Sequence, residues 1–569
     1  MCNKNNSFIF FIFILLFLFS SCNTNDDKTK RNDLENRLIG INKFVLQNIK
    51  TELISAVADS GKIDDSLQLK FYKVVDFYYS QNGYSPIWSD TGHFRPIAFE
   101  MMRYLDTAIL DGLFKSDYHY QSIKEIKNLL EHDSIKKEDP ILWSKADLLF
   151  TDAFMNVIKD LKQGRIIPDS VSWKNDSSKL NLFFSANLNK FRKDKLISPV
   201  LQALQPNIFG YRELKRGIKK FIDSMDTRMY TYVKYPYKKD NKEDSLNFIN
   251  QLRLRLIESG CLNSDSIHKL DSVNLASVIS KFQKKNNLAI DGKISSRFIK
   301  YLNLTDKQKL KRILISLDSY KELPDNMPKK YIWVNLPSYN LQVWDNDTVR
   351  LNSKIICGKY GTPTPILNSE INEMVTYPTW TVPSSIIYKE MLPGLKRNSS
   401  YLSRKGLKLL DSKGERVDPT TIDWSKYSKG IPYRIQQGSG DRNALGVMKF
   451  NFLNPFDVYL HDTNQRYFFK NNMRALSHGC VRVEEWKALA FYISKNDSLN
   501  VIPNNPTTIN TDSISNWLAK KQRRLIPVKN KIPLFIRYIT CEGINGSIKI
   551  HDDIYDKDKR LIESYFANQ

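Results

Sequence analysis

Residues 461–482, HDTNQRYFFKNNMRALSHGCVR, hold two of the chain's seven histidines and one of its six cysteines. A cysteine attacks carbon as its thiolate, which requires a base within hydrogen-bond reach and positive charge nearby. His461 follows the apolar-rich run Phe456-Asp457-Val458-Tyr459-Leu460, a strand expected to end where a side chain can face a cleft. His478, Cys480 and Arg482 lie at i, i+2 and i+4, so an extended segment here would project all three from one face. Gly479 lets a ligand or another backbone come close, and the amides beside it are candidate donors to an oxyanion. Two other readings compete. A lone cysteine is commonly a small buried hydrophobe. Two histidines and a cysteine could also ligate zinc, although His478-x-Cys480 lacks the usual ligand spacing and no fourth ligand is evident.

The run Ser477-His478-Gly479-Cys480-Val481-Arg482, with His461 nineteen residues ahead of the cysteine, resembles the active-site signature of the L,D-transpeptidases, cysteine enzymes that cross-link peptidoglycan. The longer stretches VYLHDT at 458–463 and RALSHGCVRV at 474–483 are similar to the large multidomain branch of that family, whereas many small members have Asn where Arg482 stands. The resemblance implies a Cys480 thioester and acylation of the same thiol by carbapenem β-lactams. On this reading His461 is the base. His478 sits beside the cysteine rather than across from it and takes an orienting or oxyanion role. Ser477, Arg482, Tyr377 and Trp380 are candidate substrate contacts, with Arg482 holding thiolate or a stem carboxylate. No metal or other cofactor is called for.

The chain has 569 residues, of which 41% are hydrophobic and 12% aromatic, the composition of a globular protein of several domains. Its 86 basic against 61 acidic residues give a net charge of +25 and favour anionic partners. Nucleic acid is disfavoured by the N-terminus, where Lys4 precedes an unbroken apolar run at 8–19 that ends in Phe19-Ser20-Ser21-Cys22. Twelve apolar residues suit a secretory h-region better than a membrane span. Small residues followed at once by cysteine resemble a bacterial lipoprotein signal, so Cys22 is the expected lipidation site. The remaining chain is then expected on the periplasmic side of a membrane, the outer membrane being favoured. Cys261, Cys357, Cys480 and Cys541 lack paired spacing, which leaves Cys480 free.

The expected fold class is α+β multidomain: a helical scaffold and a three-helix module, then a mainly-β catalytic domain. Residues 1–22 are the signal and 23–37 a polar tether. A helical scaffold spans 38–234, with one apolar stripe at Phe71, Val74, Val75 and Tyr78 and another at Ala146, Leu149, Phe150, Ala153 and Val157. The phrases GYSPIW at 83–88 and DAF at 152–154 resemble the scaffold of the large L,D-transpeptidases. Residues 245–305, carrying KFQKKNNL and IDGKI, are similar to the three-helix peptidoglycan-binding module; a helical spacer without a working groove is the alternative. From 325 the period changes to short strands at 331–336, 339–344 and 349–357, a sandwich or barrel-like sheet continuing to 501. The loop at 358–365 resembles the family's substrate-side loop, and an insertion at about 386–428 is long enough for a lid. Ser439 stands where the family pattern carries proline. Residues 502–569 are expected to pack on the scaffold, with one helix and one strand at 534–540. The expected partners are the donor and acceptor stem peptides of peptidoglycan, and a membrane through the lipid. Water in place of the acceptor amine would make the same site an L,D-carboxypeptidase. A wall-binding lipoprotein without catalysis is the third possibility.

Overall fold

The computed structural model describes residues 24–166, 177–263, 272–286, 288, 290–428, 430–499 and 509–566. The apolar run at 8–19 and Cys22 lie outside them. Among the described residues no helix is long and apolar enough to cross a membrane. Two compact units are formed, one from residues up to 109 with 114–160 and 171–204, the other from 110–113, 161–170 and 205–569. The fold class is the expected one, helical in the N-terminal part and mainly β in the catalytic region.

The first unit is built from α1 (Thr24–Ala58), α2 (Tyr72–Gln81), the short pair β1 (Ser89–Asp90) and β2 (His93–Phe94), α3 (Pro96–Thr107), α4 (Tyr120–His132), most of α5 (Pro140–Gln163), α6 (Ser177–Asp194) and α7 (Ser198–Ala203). Residues 24–37, expected as a tether, belong to α1 and are helical. The stripe on α5 is buried, and the carboxylates of Asp147, Asp152 and Asp160 are buried with it; Asp147 accepts from the amides of Ile87 and Trp88 at 2.8 Å each and from the Tyr79 hydroxyl. A buried carboxylate requires such partners. Its hydrogen bonds fix the 83–88 loop, while Trp88 stacks on Phe150 at 5.2 Å.

The long continuous part of the second unit, from 205 onward, opens with α8 (Phe209–Asp223), which lies inside the span 38–234 expected for the scaffold. Three helices follow, α9 (Lys242–Glu258), α10 (Ser272–Lys285) and α11 (Ser296–Leu302), around a core of Phe248, Leu252, Ile279, Phe282 and Phe298. Gln283 Oε1 accepts from the amides of Asp291 and Gly292, 3.0 Å each, and so locks the turn before α11. Then come α12 (Asp306–Tyr320), β3 (Lys330–Asn335), β4 (Asn340–Asp345), β5 (Thr348–Gly358) and β6 (Leu367–Thr376).

Between β6 and the next strand of the main sheet stands an insertion with its own small sheet: β7 (Trp380–Thr381), α13 (Ser384–Ile386), α14 (Leu392–Arg397), α15 (Tyr401–Arg404), β8 (Leu407–Leu410), β9 (Arg416–Val417) and β10 (Arg434–Gln437). Val382, Met391, Leu402, Leu409, Trp424 and Ile435 form a separate core, so the segment read as a lid at 386–428 is part of a wider subdomain framed by β7 and β10.

The main sheet resumes with β11 (Met448–Phe452), β12 (Leu460–His461), β13 (Ala475–Ser477) and β14 (Val481–Val483), followed by α16 (Trp486–Leu499), α17 (Thr511–Ala519), β15 (Arg524–Arg537), the hairpin β16 (Cys541–Ile544) and β17 (Ser547–Ile550), and α18 (Lys557–Tyr565). Its nine strands run β13-β5-β14-β12-β11-β6-β15-β3-β4, and β4 also pairs with β5, so the sheet returns on itself. Ile332, Val343, Ile355, Ile371, Phe450, Leu460, Val481 and Leu534 fill its core. The C-terminal segment is divided between two places. β15 lies between β6 and β3 inside the catalytic sheet, while the β16–β17 hairpin packs on α8.

Candidate active site

β12 and β14 run side by side and parallel, Leu460 opposite Val481 and His461 opposite Arg482. Strand alternation then sets Tyr459 and His461 on one strand beside Cys480 and Arg482 on the other, and all four side chains face the same cavity. That cavity has a volume of about 1370 Å³ and lies under the insertion. β11 adds Lys449 opposite His461, its ammonium 4.0 Å from the centre of the Tyr459 ring.

The 477–482 segment is not one extended strand. β13 ends at Ser477 and β14 begins at Val481; Gly479 between them has φ +122°, a conformation that favours glycine. The turn is held internally, Ser477 Oγ donating to the Cys480 carbonyl at 2.6 Å and accepting from the Gly479 amide at 3.1 Å. The Gly479 amide is thus engaged, and Gly479 makes the turn while the Cys480 amide stays as the candidate oxyanion donor. The 358–365 loop grips the same turn: Thr364 Oγ1 donates to the Gly479 carbonyl at 2.7 Å, and Thr362 Oγ1 to that of Ser477 at 3.2 Å. Tyr555, from the C-terminal segment, donates to the Gly358 carbonyl at 2.7 Å behind this loop. A Cβ on Gly479 would meet nothing closer than 3.7 Å, so strain at Gly479→Ala is conformational rather than steric. The substitution is expected to destabilise by about 1–2 kcal/mol and to slow acylation at least about tenfold by displacing the thiol. Thermal melting and intact-mass kinetics with a carbapenem read the two effects.

Cys480 is half-buried and, like the other three described cysteines, free. Burial pushes its thiol up; the Tyr459 backbone and hydroxyl beside it and the charges of Lys449 and Arg482 act the other way. His461 is 4% exposed and pushed down to about 3, first by burial and then by Arg482, and its Nδ1 has no hydrogen-bond partner. It is neutral at any ordinary pH. Arg482 donates through Nη1 to Gln465 Oε1 at 3.1 Å, with Nε buried and unpartnered.

His478 turns to the insertion, where its Nε2 stands 2.6 Å from Glu390 Oε1. Trp380 lines the cavity. Tyr377 does not line it. Its side chain is buried and donates to Asp441 Oδ1 at 3.0 Å, while its carbonyl accepts from Ser439 at 2.7 Å. Of the expected substrate contacts, Trp380, Ser477 and Arg482 are thus at the cavity and Tyr377 is beneath it. Tyr459, Lys449 and Glu390 escaped the sequence reading. Tyr459 had a signal, since it alternates with His461 on one strand, whereas Lys449 and Glu390 reach the site only through strand register and the insertion. Among the described residues no three His, Cys, Asp or Glu side chains gather as a metal ion would require.

A family model for the L,D-transpeptidase catalytic domain matches residues 329–501, and one for a scaffold domain matches residues 73–218. A curated Haemophilus influenzae protein, whose name assigns it provisionally to the L,D-transpeptidases, is 35% identical over 230 residues, which are 40% of this chain and 45% of that protein. The chain thus spans less than half the length of this relative. Among solved structures, an L,D-transpeptidase from Mycobacterium smegmatis overlays 37% of this chain and 58% of its own at 11% identity and a TM-score of 0.17. One from Stackebrandtia nassauensis overlays 54% of this chain and 97% of its own at 13% identity and a TM-score of 0.17.

Proposed function

From a chain that carries an L,D-transpeptidase catalytic domain behind a scaffold domain, we infer an enzyme that joins peptidoglycan stem peptides through a thioester on Cys480. The observation that carries this reading is the placing of a free, half-buried thiol at the wall of a large cavity, with Tyr459, His461, Lys449 and Arg482 converging on it from neighbouring strands.

In the first step Cys480 Sγ attacks the carbonyl of the third residue of a tetrapeptide stem, the thiol proton passing to His461. The C–N bond to the terminal D-Ala breaks, and His461 returns the proton to the departing amine. The thiol is pushed up and His461 down, so a resting thiolate–imidazolium pair is unfavourable and proton transfer has to accompany attack. The Cys480 amide is the donor available to the tetrahedral oxyanion. The Tyr459 hydroxyl and the Lys449 and Arg482 charges stabilise the developing thiolate. In the second step an amine of another stem attacks the thioester, forms the amide and restores the thiol.

Lipidation at Cys22, placing the chain on the periplasmic face of a membrane, belongs to the same proposal and rests on the leader's sequence. The three-helix module is proposed as a wall contact on its resemblance alone.

The test is mass spectrometry of purified tetrapeptide muropeptides after incubation with the full chain. Cross-linked dimers with release of D-Ala are expected. Tripeptides without dimers would replace the reading by a carboxypeptidase, and unchanged substrate by a binding protein.

A further inference from the structure

Glu390 is the residue of the insertion that reaches the catalytic turn, and it does so with one oxygen. Its Oε1 lies 2.6 Å from His478 Nε2 and 3.4 Å from Lys359 Nζ. Both partners belong to the barrel and are tied to each other, because the Lys359 amide donates to the Ser477 carbonyl at 2.9 Å. Glu390 itself stands in a single π-helical stretch, Ile387–Met391, between α13 and α14. Such π turns interrupt regular helical hydrogen bonding and recur at functional sites.

The three side chains keep 35–47% of their surface exposed, so one carboxylate can leave and another enter without burying a charge. Burial alone would raise Glu390, yet the His478 and Lys359 contacts hold it below the usual carboxylate range. Glu390 and His478 line the same cavity as Cys480, and its walls carry further cations in Arg404, Lys405, Lys408 and Arg442. A pair of donors at the turn of the thiol, His478 two residues before Cys480 and Lys359 tied to Ser477, already holds a carboxylate and matches the chemistry of a peptide substrate whose own carboxylate lies one residue beyond the bond to be broken.

We propose that His478 and Lys359 form a carboxylate clasp, which Glu390 occupies while the insertion lies over the thiol and which the C-terminal carboxylate of the peptide substrate takes in its place. This rests on reading the cavity as a peptide site. Glu390 is then a competitor of the substrate, and its release loosens the insertion as the peptide enters.

The full chain carrying Cys480→Ala, which cannot turn over, is titrated calorimetrically with a tetrapeptide ending in D-Ala and with the same peptide as its C-terminal amide. Adding Glu390→Gln is expected to tighten the carboxylate peptide about fivefold, the scale of an exposed ion pair, and to leave the amide unchanged. Adding Lys359→Gln is expected to weaken the carboxylate peptide alone. Both replacements keep the bulk of an exposed side chain, and thermal melts check that folding is intact. Equal affinity for the two peptides, no binding of either, or weaker binding with Glu390→Gln would overturn the clasp. A wild-type chain that leaves the tetrapeptide uncut, with the titrations as expected, would remove the transpeptidase reading and keep the clasp.

Discussion

Cys480→Ala is expected to abolish both muropeptide dimers and the carbapenem adduct, a loss of about 10⁴-fold or more in acylation, with the fold intact. No other described cysteine can substitute for it. Cys261, Cys357 and Cys541 are buried, and burial pushes Cys357 and Cys541 up to about 12, far from thiolate at neutral pH. Cys480 is half-buried at a cavity wall, so deleting one sulfur leaves no closed void and should change stability by less than about 1 kcal/mol. Intact-mass spectrometry with a carbapenem and a thermal melt of the same sample read both parts. An adduct of undiminished rate on the alanine variant would remove Cys480 from the chemistry.

His461 carries the second large effect, and it shows in two pH profiles. As the base, its loss in His461→Ala should slow acylation at neutral pH by about 10²–10⁴-fold, with partial recovery in alkali as the thiol ionises unaided. Wild-type acylation should show no titration near 6.5, because this histidine is held down to about 3, and should rise toward alkaline pH because Cys480 is pushed up. His478→Ala should lower the rate with little change of profile. Alkaline rescue in His478→Ala but not in His461→Ala would reverse their roles. The stability profile has a fixed sign. Above 6.5 His461 is neutral in both folded and unfolded chains, and its contribution to stability is fully present. Between 6.5 and about 3 the unfolded chain takes up a proton that the folded one refuses, so stability falls as pH falls. The slope from this residue approaches about 1.4 kcal/mol per pH unit. Chemical denaturation of wild type and His461→Gln across pH 3–7 should differ by that slope, and parallel curves would mean that His461 is not held neutral.

The site was legible where its chemistry is local in the chain. Cys480, His461 and Arg482 are close in sequence and are brought together at the cavity. The 477–482 segment is less legible: spacing at i, i+2 and i+4 suits a continuous strand, whereas φ +122° at Gly479 breaks it and sends His478 to Glu390. Tyr377 misled for a similar reason: proximity to the insertion says nothing of side-chain direction, and its hydroxyl is held by Asp441. Lys449 was invisible because it joins the site through the β11–β12 register. β15 was half-hidden by composition. It carries Pro527 and Pro533, and its pairing with β6 shifts register between Pro527 and Ile532, so neither alternation nor an unbroken apolar run marks it as a strand.

That strand has a consequence for the order in which the molecule comes into being. Because β15 is wedged between β6 and β3, the barrel cannot close until β15 has been made, and its pairing with β3 spans about two hundred positions of sequence. Tyr555, still later, braces the loop that grips the nucleophile's turn. Cys480 is therefore made before the strand that completes its sheet, as a thiol on a sheet still open between β6 and β3. The sheet behind the thiol is completed last, by β15 at 524–537 and by the brace from Tyr555.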